Sequence, residues 1–176
     1  MKNKRLIYFV LLISNFAFAE TGHQMHSSVS GADTRKPLPL TEMMAEHQKA
    51  NMRGHLEAIR DLLGAFAEKN FSKMAEAGKK LGTTPEMAMM CEHMGQATPG
   101  FTEFGLKMHS EADKITEAAL KKNLSGVMTA THRTLQSCTA CHSAFKQQIV
   151  TELDWKKLSE KKPTSSTPGD SEHQHK

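Results

Sequence analysis

Aromatic side chains are scarce in this 176-residue chain, which has one Trp and one Tyr, and Tyr8 falls in the first apolar stretch. No platform is left on which nucleic-acid bases could stack. An excess of one charge is lacking too. The 23 Lys and Arg outnumber the 19 Asp and Glu by four. Three of the basic residues, Lys2, Lys4 and Arg5, precede the apolar stretch; without them 20 basic residues face 19 acidic ones. That balance gives no support to nucleic-acid binding or to a steered encounter with a strongly charged partner. There is no Ser/His/Asp order and no acid–base pair near the chemistry-bearing motif below, so the chain does not read as an enzyme. Long apolar runs are also missing. Leu6 to Phe18 is too short to span a bilayer comfortably.

The N-terminus reads as an export signal. Lys2, Lys4 and Arg5 form the positive start, Leu6 to Phe18 the apolar middle, and Ala17-Phe18-Ala19 an A-x-A cleavage site. Cleavage after Ala19 would make residues 1–19 a signal peptide and leave a periplasmic protein that begins at Glu20 and keeps no stable membrane span. Residues 20–39 mix Ser, Gly, Pro, His and charge without apolar periodicity and read as a flexible linker. A folded domain is expected over 40–155. A disordered tail is expected over 156–176, where Lys-Lys-Pro-Thr-Ser-Ser-Thr-Pro-Gly-Asp forms no core.

Cysteine is used sparingly and informatively. Of the three, two stand in Cys138-Thr139-Ala140-Cys141-His142. Two thiols spaced i, i+3 with a histidine directly after them form the attachment pattern of a c-type haem. Each thiol can add across one vinyl group, and the adjacent imidazole can then reach the iron. A bare C-x-x-C would leave thioredoxin-like chemistry or half a zinc site open. The pattern implies one covalent haem c held by Cys138 and Cys141, with His142 as the proximal iron ligand. Cys91 is then left alone, as a buried inert thiol or a free one.

The apolar periodicity is helical throughout, with no strand alternation. A first helix is predicted from Thr41, its N-cap, to Phe66, with an inward stripe of Ala45, Gln48, Met52, Leu56, Ile59, Leu63 and Phe66. A second runs from Phe71 to Leu81 between Asn70 and Gly82. The loop after it is partly helical around Met87 to Met94. A third helix runs from Phe101 to Lys121. A fourth starts after Asn123 and continues to about Ile149, with the stripe Leu124, Met128, Thr131, Leu135, Cys138, His142, Phe145 and Ile149. The expected fold is all-α, an antiparallel four-helix bundle with the haem held toward the interior near the end of the last helix.

A haem site placed there resembles the class II cytochromes c, the family of cytochrome c′. The likeness covers roughly residues 40–150. Phe145 and Lys146, three and four places after His142, match the family's aromatic and basic residues. Asn51-Met52-Arg53-Gly54-His55-Leu56 resembles the first-helix segment of low-spin relatives in which a methionine is the second axial ligand. The resemblance implies Met52 as distal ligand and an electron carrier that meets redox partner proteins as a monomer or homodimer. With an apolar distal residue instead, the iron would be five-coordinate and would bind nitric oxide or carbon monoxide. Gln48 stands where the family often has an arginine; Arg53 is the remaining candidate for a propionate contact.

Met52 has rivals, because the chain holds 12 methionines and methionine commonly fills cores. Met43, Met44 and Met108, and the histidines His47 and His55, are the other first- and third-helix candidates. His93, His109 and His132 have no spacing that pairs them. Met89, Met90 and Met94 beside Cys91 and His93 offer soft-metal donors without regular spacing. His23, Met25, His26, His173 and His175 lie in the tails and read as solvated.

Overall fold

The computed structural model describes residues 32–160. The signal-peptide reading, the start of the linker, the tail beyond residue 160 and the tail histidines therefore lie outside the described residues. The described part is predominantly helical. In chain order it runs β1 Lys36–Leu40, α1 Glu42–Ala67, α2 Phe71–Leu81, α3 Pro85–Gly95, α4 Phe101–Leu120, α5 Leu124–Ala144, β2 Phe145–Ile149 and α6 Glu152–Glu160. None of its helices is long and apolar enough to cross a membrane.

The helix starts follow their capping residues. Thr41 Oγ1 accepts from the Met44 N–H at 3.4 Å, Asn70 Oδ1 from Lys73 at 3.1 Å, Thr84 Oγ1 from Met87 at 3.1 Å and Asn123 Oδ1 from Gly126 at 2.9 Å. Each bond satisfies an N–H that the helix itself cannot. At α4 the cap is Gly100, whose φ of 90° suits a residue without a Cβ. Packing proceeds from α1 to α2, from α2 to α4 and from α4 to α5, with α3 laid on α4. Gly78 lets α2 and α4 approach closely, since a Cβ there would stand 2.6 Å from Thr116 Oγ1 and 2.9 Å from its backbone nitrogen.

Two cores result. The larger joins Ala58, Leu62 and Ala65 of α1 to Met74 and Leu81 of α2, Ala112, Ile115 and Ala119 of α4, and Val127 and Ala130 of α5. The smaller gathers Leu38, Leu40, Met44, Ala45, Met94, Phe101 and Phe145 around the strands. Phe145 meets Phe101 and Phe104 edge-on, with centroids 5.6 and 5.5 Å apart, a favoured aromatic geometry.

Several expectations need correction. The fourth helix does not reach Ile149. It ends at Ala144, and Phe145–Ile149 is a strand paired in parallel with Lys36–Leu40. The last residues of the expected linker, from Lys36, are therefore ordered. Pro37 and Pro39 lack an N–H, which a strand with one neighbour tolerates. Their register against Lys146 and Gln148 buries Leu38 and Leu40. The domain also runs past residue 155, since α6 extends to Glu160.

The inward stripes shift as well. In α1 the expected Ala45 and Gln48 are buried and Ile59 and Phe66 pack partly against the core, but Ala58, Leu62 and Ala65 are buried as well, while Met52, Leu56 and Leu63 are 38%, 71% and 53% exposed. In α5 the packed residues are Val127, Ala130, Thr131, Thr134 and Ser137. Thr131, Thr134 and Ser137 donate their hydroxyls to the carbonyls of Val127, Ala130 and Arg133 at 2.7, 2.9 and 3.1 Å. Once satisfied in this way they can be buried, which apolar periodicity does not register.

Candidate haem site

Cys138, Cys141 and His142 lie in the last two turns of α5. Spacings of three and four residues put Cys138, Cys141 and His142 along one side of the helix. All three cysteines, Cys91, Cys138 and Cys141, are free thiols. Burial raises the pKa of each. At Cys141 it is pushed up to about 11, by burial first and then by Cys138 and Cys91 nearby. At Cys138 burial acts against its own backbone hydrogen bond, and at Cys91 burial is reinforced by Glu92. A reactive C-x-x-C thiol has the opposite setting, at a helix N-terminus or beside a cation that favours the thiolate. Cys138 and Cys141 lie toward the carboxyl, negative end of α5, which disfavours the thiolate as burial does. The arrangement disfavours thioredoxin-like exchange and suits thiols that add as S–H.

α1 and α5 do not pack closely against each other, and a cavity of about 430 Å³ is lined by residues of both together with α3 and α4. That is within the range of small cofactor sites, roughly 300–1,000 Å³. α1 contributes Gln48, Met52, His55, Leu56 and Ile59; α3 contributes Met87, Met90, Cys91 and Met94. α4 adds Phe101, Phe104, Met108 and His109, and α5 adds Leu135, Cys138, Cys141 and His142. The lining is almost wholly apolar. It accounts for three of the large apolar side chains left uncovered, Met52, Leu56 and the 42% exposed Leu135. All three line the cavity, so an apolar body seated there would cover part of their surface.

A second groove of about 670 Å³ adjoins the mouth of the cavity. It shares Gln48, Met52, Arg53, Phe101, Cys141 and His142 with the cavity and adds Arg35, Lys49 and Lys146. The mouth is thus basic where the interior is apolar. Arg35 Nη1 also donates to the backbone carbonyl of His142 at 3.4 Å, tying the segment before β1 to the motif. Gln48, at the position where an arginine was sought, is buried and accepts from Gln147 Nε2 at 2.6 Å.

Two histidines that periodicity did not single out stand inside the cavity. His109, on α4, is 2% exposed, and its Nδ1 lies 2.7 Å from the Leu81 carbonyl. The His55 ring meets it edge-on, with centroids 5.3 Å apart and planes at 77°. Burial, with His109 alongside, lowers the His55 pKa to about 4. A signal for them did exist in the sequence. His55 follows Met52 by three residues and His109 follows Met108 by one, but each lay beside rather than on the apolar stripe.

The other candidates disperse. Met44 is packed in the smaller core and Met43 is exposed. His47 and His132 are exposed. Of the soft-metal donors, Met90, Cys91 and Met94 line the cavity. Met89 is exposed, and His93 turns outward against Trp155 at 4.9 Å. Among the described residues no group of three or more His, Cys, Asp or Glu is placed to hold a metal ion. No family model matches the chain, and neither a curated protein nor a solved structure matches it.

Proposed function

We propose that this protein is an exported c-type cytochrome of class II type that carries electrons between redox partner proteins. One haem c would be held covalently by Cys138 and Cys141, with His142 proximal and Met52 distal, inside an antiparallel four-helix bundle of α1, α2, α4 and α5. The observation that carries this reading is the shared cavity. Cys138, Cys141, His142 and Met52 all line one apolar space, and its mouth is basic.

The residues present fit the group. The apolar lining suits a macrocycle, the two thiols suit thioether formation, and Arg53 at the mouth suits a carboxylate. When bound, the haem would supply a one-electron couple. The chain's part is then to exclude water, to fix both axial side chains and to leave one edge reachable. Met52 and His142 each line both the cavity and its mouth, which supports them as the facing pair. A thioether opposite an imidazole keeps iron low-spin and raises its potential, as suits a carrier. No side chain is assigned a catalytic role.

The test is the absorption spectrum of the purified full-length protein. A low-spin spectrum with the weak far-red sulfur-to-iron band is expected. A high-spin spectrum that shifts with carbon monoxide would transfer the protein to the gas-binding branch and make Met52 a wall of the distal pocket. Export predicts a mature chain that begins at Glu20 in the periplasm, which intact-mass measurement checks; recovery of Met1 there would make the leader an anchor.

A further inference from the structure

The cavity has one feature that the haem reading leaves unused. Its polar side chains are largely satisfied from within. Thr134 and Ser137 donate to carbonyls of their own helix, and His109 is fixed on the Leu81 carbonyl. Among the described residues lining the cavity, His55 Nε2 is the one buried side-chain nitrogen or oxygen with no hydrogen-bond partner. An orphaned buried polar atom costs about 1–3 kcal/mol, so an unpaired nitrogen inside an apolar site points to a bound group.

His55 is placed to reach one. It follows Met52 by three residues on α1, so the two side chains project from one face of the helix. Its ring is braced edge-on by His109, which the Leu81 carbonyl braces in turn. This is the kind of outer support that orients an imidazole ligand. The apolar surroundings keep the ring uncharged, and a neutral imidazole retains a lone pair for a metal.

We propose that His55 is a reserve distal ligand: when the Met52 thioether leaves the iron, the His55 imidazole takes the sixth position, so that the site closes again instead of standing open to gases. The inference rests on the haem reading above. The exchange breaks one iron–sulfur bond and forms one iron–nitrogen bond, with no net transfer of electrons or protons. It gives the protein two low-spin states of different potential, since nitrogen ligation favours ferric iron more than thioether ligation does.

The experiment uses the full-length haem-loaded protein and four forms: parent, Met52→Leu, His55→Leu and the double variant. Leu replaces Met at similar volume, so the fold is preserved. Absorption and electron paramagnetic resonance spectra are read on each, with carbon monoxide added to the ferrous form. Met52→Leu is expected to lose the far-red sulfur band yet stay low-spin and refuse carbon monoxide. His55→Leu should keep the parent spectrum, and the double variant should become high-spin and bind carbon monoxide. A high-spin Met52→Leu would overturn the proposal. So would a parent that His55→Leu alone converts to high spin, because His55 would then be the resident ligand. An alkaline pyridine spectrum of the parent separates the two levels, since absence of haem c there sinks the functional reading itself.

Discussion

The larger core and the cavity share α1, α4 and α5 but draw different side chains from them. Along the α1–α2, α2–α4 and α4–α5 contacts the core residues are mostly alanine, with Leu62, Met74, Leu81, Ile115 and Val127 among them. Gly78 against Thr116 continues the theme. Small residues let backbones approach, and the region is filled by protein alone. Toward the carboxyl end of α5 the residues become long and adaptable, as in Met52, Met87, Met90, Phe104 and Met108, with His55, His109 and His142 among them. There α1 and α5 stay apart, and apolar side chains face a space. On the proposed function, the contrast teaches that one half of the fold fills itself and that the other, with its open apolar space, would be completed by a guest.

Removal of the guest's anchors should show this most strongly. Cys138→Ala with Cys141→Ala is expected to abolish covalent haem and to leave a protein several kcal/mol less stable than the holo form, since binding to the folded state alone stabilises it by mass action. Thermal unfolding of the variant and the parent, with haem stain on a denaturing gel, measures both effects. An unchanged melting curve would mean that the cavity does not need filling.

The comparison sharpens with one truncation in each half. Ile115→Ala in the closed core should cost about 2–5 kcal/mol with or without haem. Leu56→Ala at the cavity should change the haem-free stability by no more than about 0.5 kcal/mol, as for an exposed side chain, while loosening the holo form. Urea titrations of the holo and haem-free forms would decide. Equal effects of the two substitutions in both forms would erase the distinction between the halves. A smaller test of the closed half is Gly78→Ala, whose added methyl meets Thr116 of α4. It should cost about 1–3 kcal/mol by overpacking, read in the same titrations.

The histidines give the cavity half a pH signature that the closed half lacks. His55 has its pKa depressed to about 4 by burial and by His109. The unfolded chain then binds a proton that the folded one refuses. In the haem-free protein the resulting stability is fully present above about pH 6.5 and is lost as pH falls from there toward 4. His55→Leu should flatten the stability profile across that window. A parent and variant of equal slope would show that the ring is solvated.

How much of this was legible in the sequence differs between the halves in an instructive way. Helix starts were readable because Thr41, Asn70 and Asn123 carry their own capping oxygens. The all-helical character followed from the 3.6-residue period. The Cys138-Thr139-Ala140-Cys141-His142 motif could be picked out because its spacing is local to five consecutive residues. The facing stripes were not. A stripe drawn through Met52, Leu56 and Leu135 joined apolar residues that face a cavity with those that pack against protein, and periodicity treats the two alike. Thr131 was on the expected stripe and is buried, but Thr134 and Ser137 were passed over because the bonds that satisfy their hydroxyls cannot be seen in a hydropathy pattern. The strand pair was invisible for a related reason. Phe145 to Ile149 continues the helical stripe well, and its partner Lys36–Leu40 lies more than a hundred residues away. The pairing of His55 with His109 is likewise tertiary, between α1 and α4.

The most direct measurement is acid–acetone extraction of the full-length protein purified from the compartment where it matures, followed by an alkaline pyridine spectrum of the washed polypeptide. The account predicts that the haem stays with the chain and gives the spectrum of a porphyrin with both vinyl groups saturated by Cys138 and Cys141. Haem passing into the solvent, or a polypeptide with free thiols at both positions and no haem at any stage of purification, would contradict it.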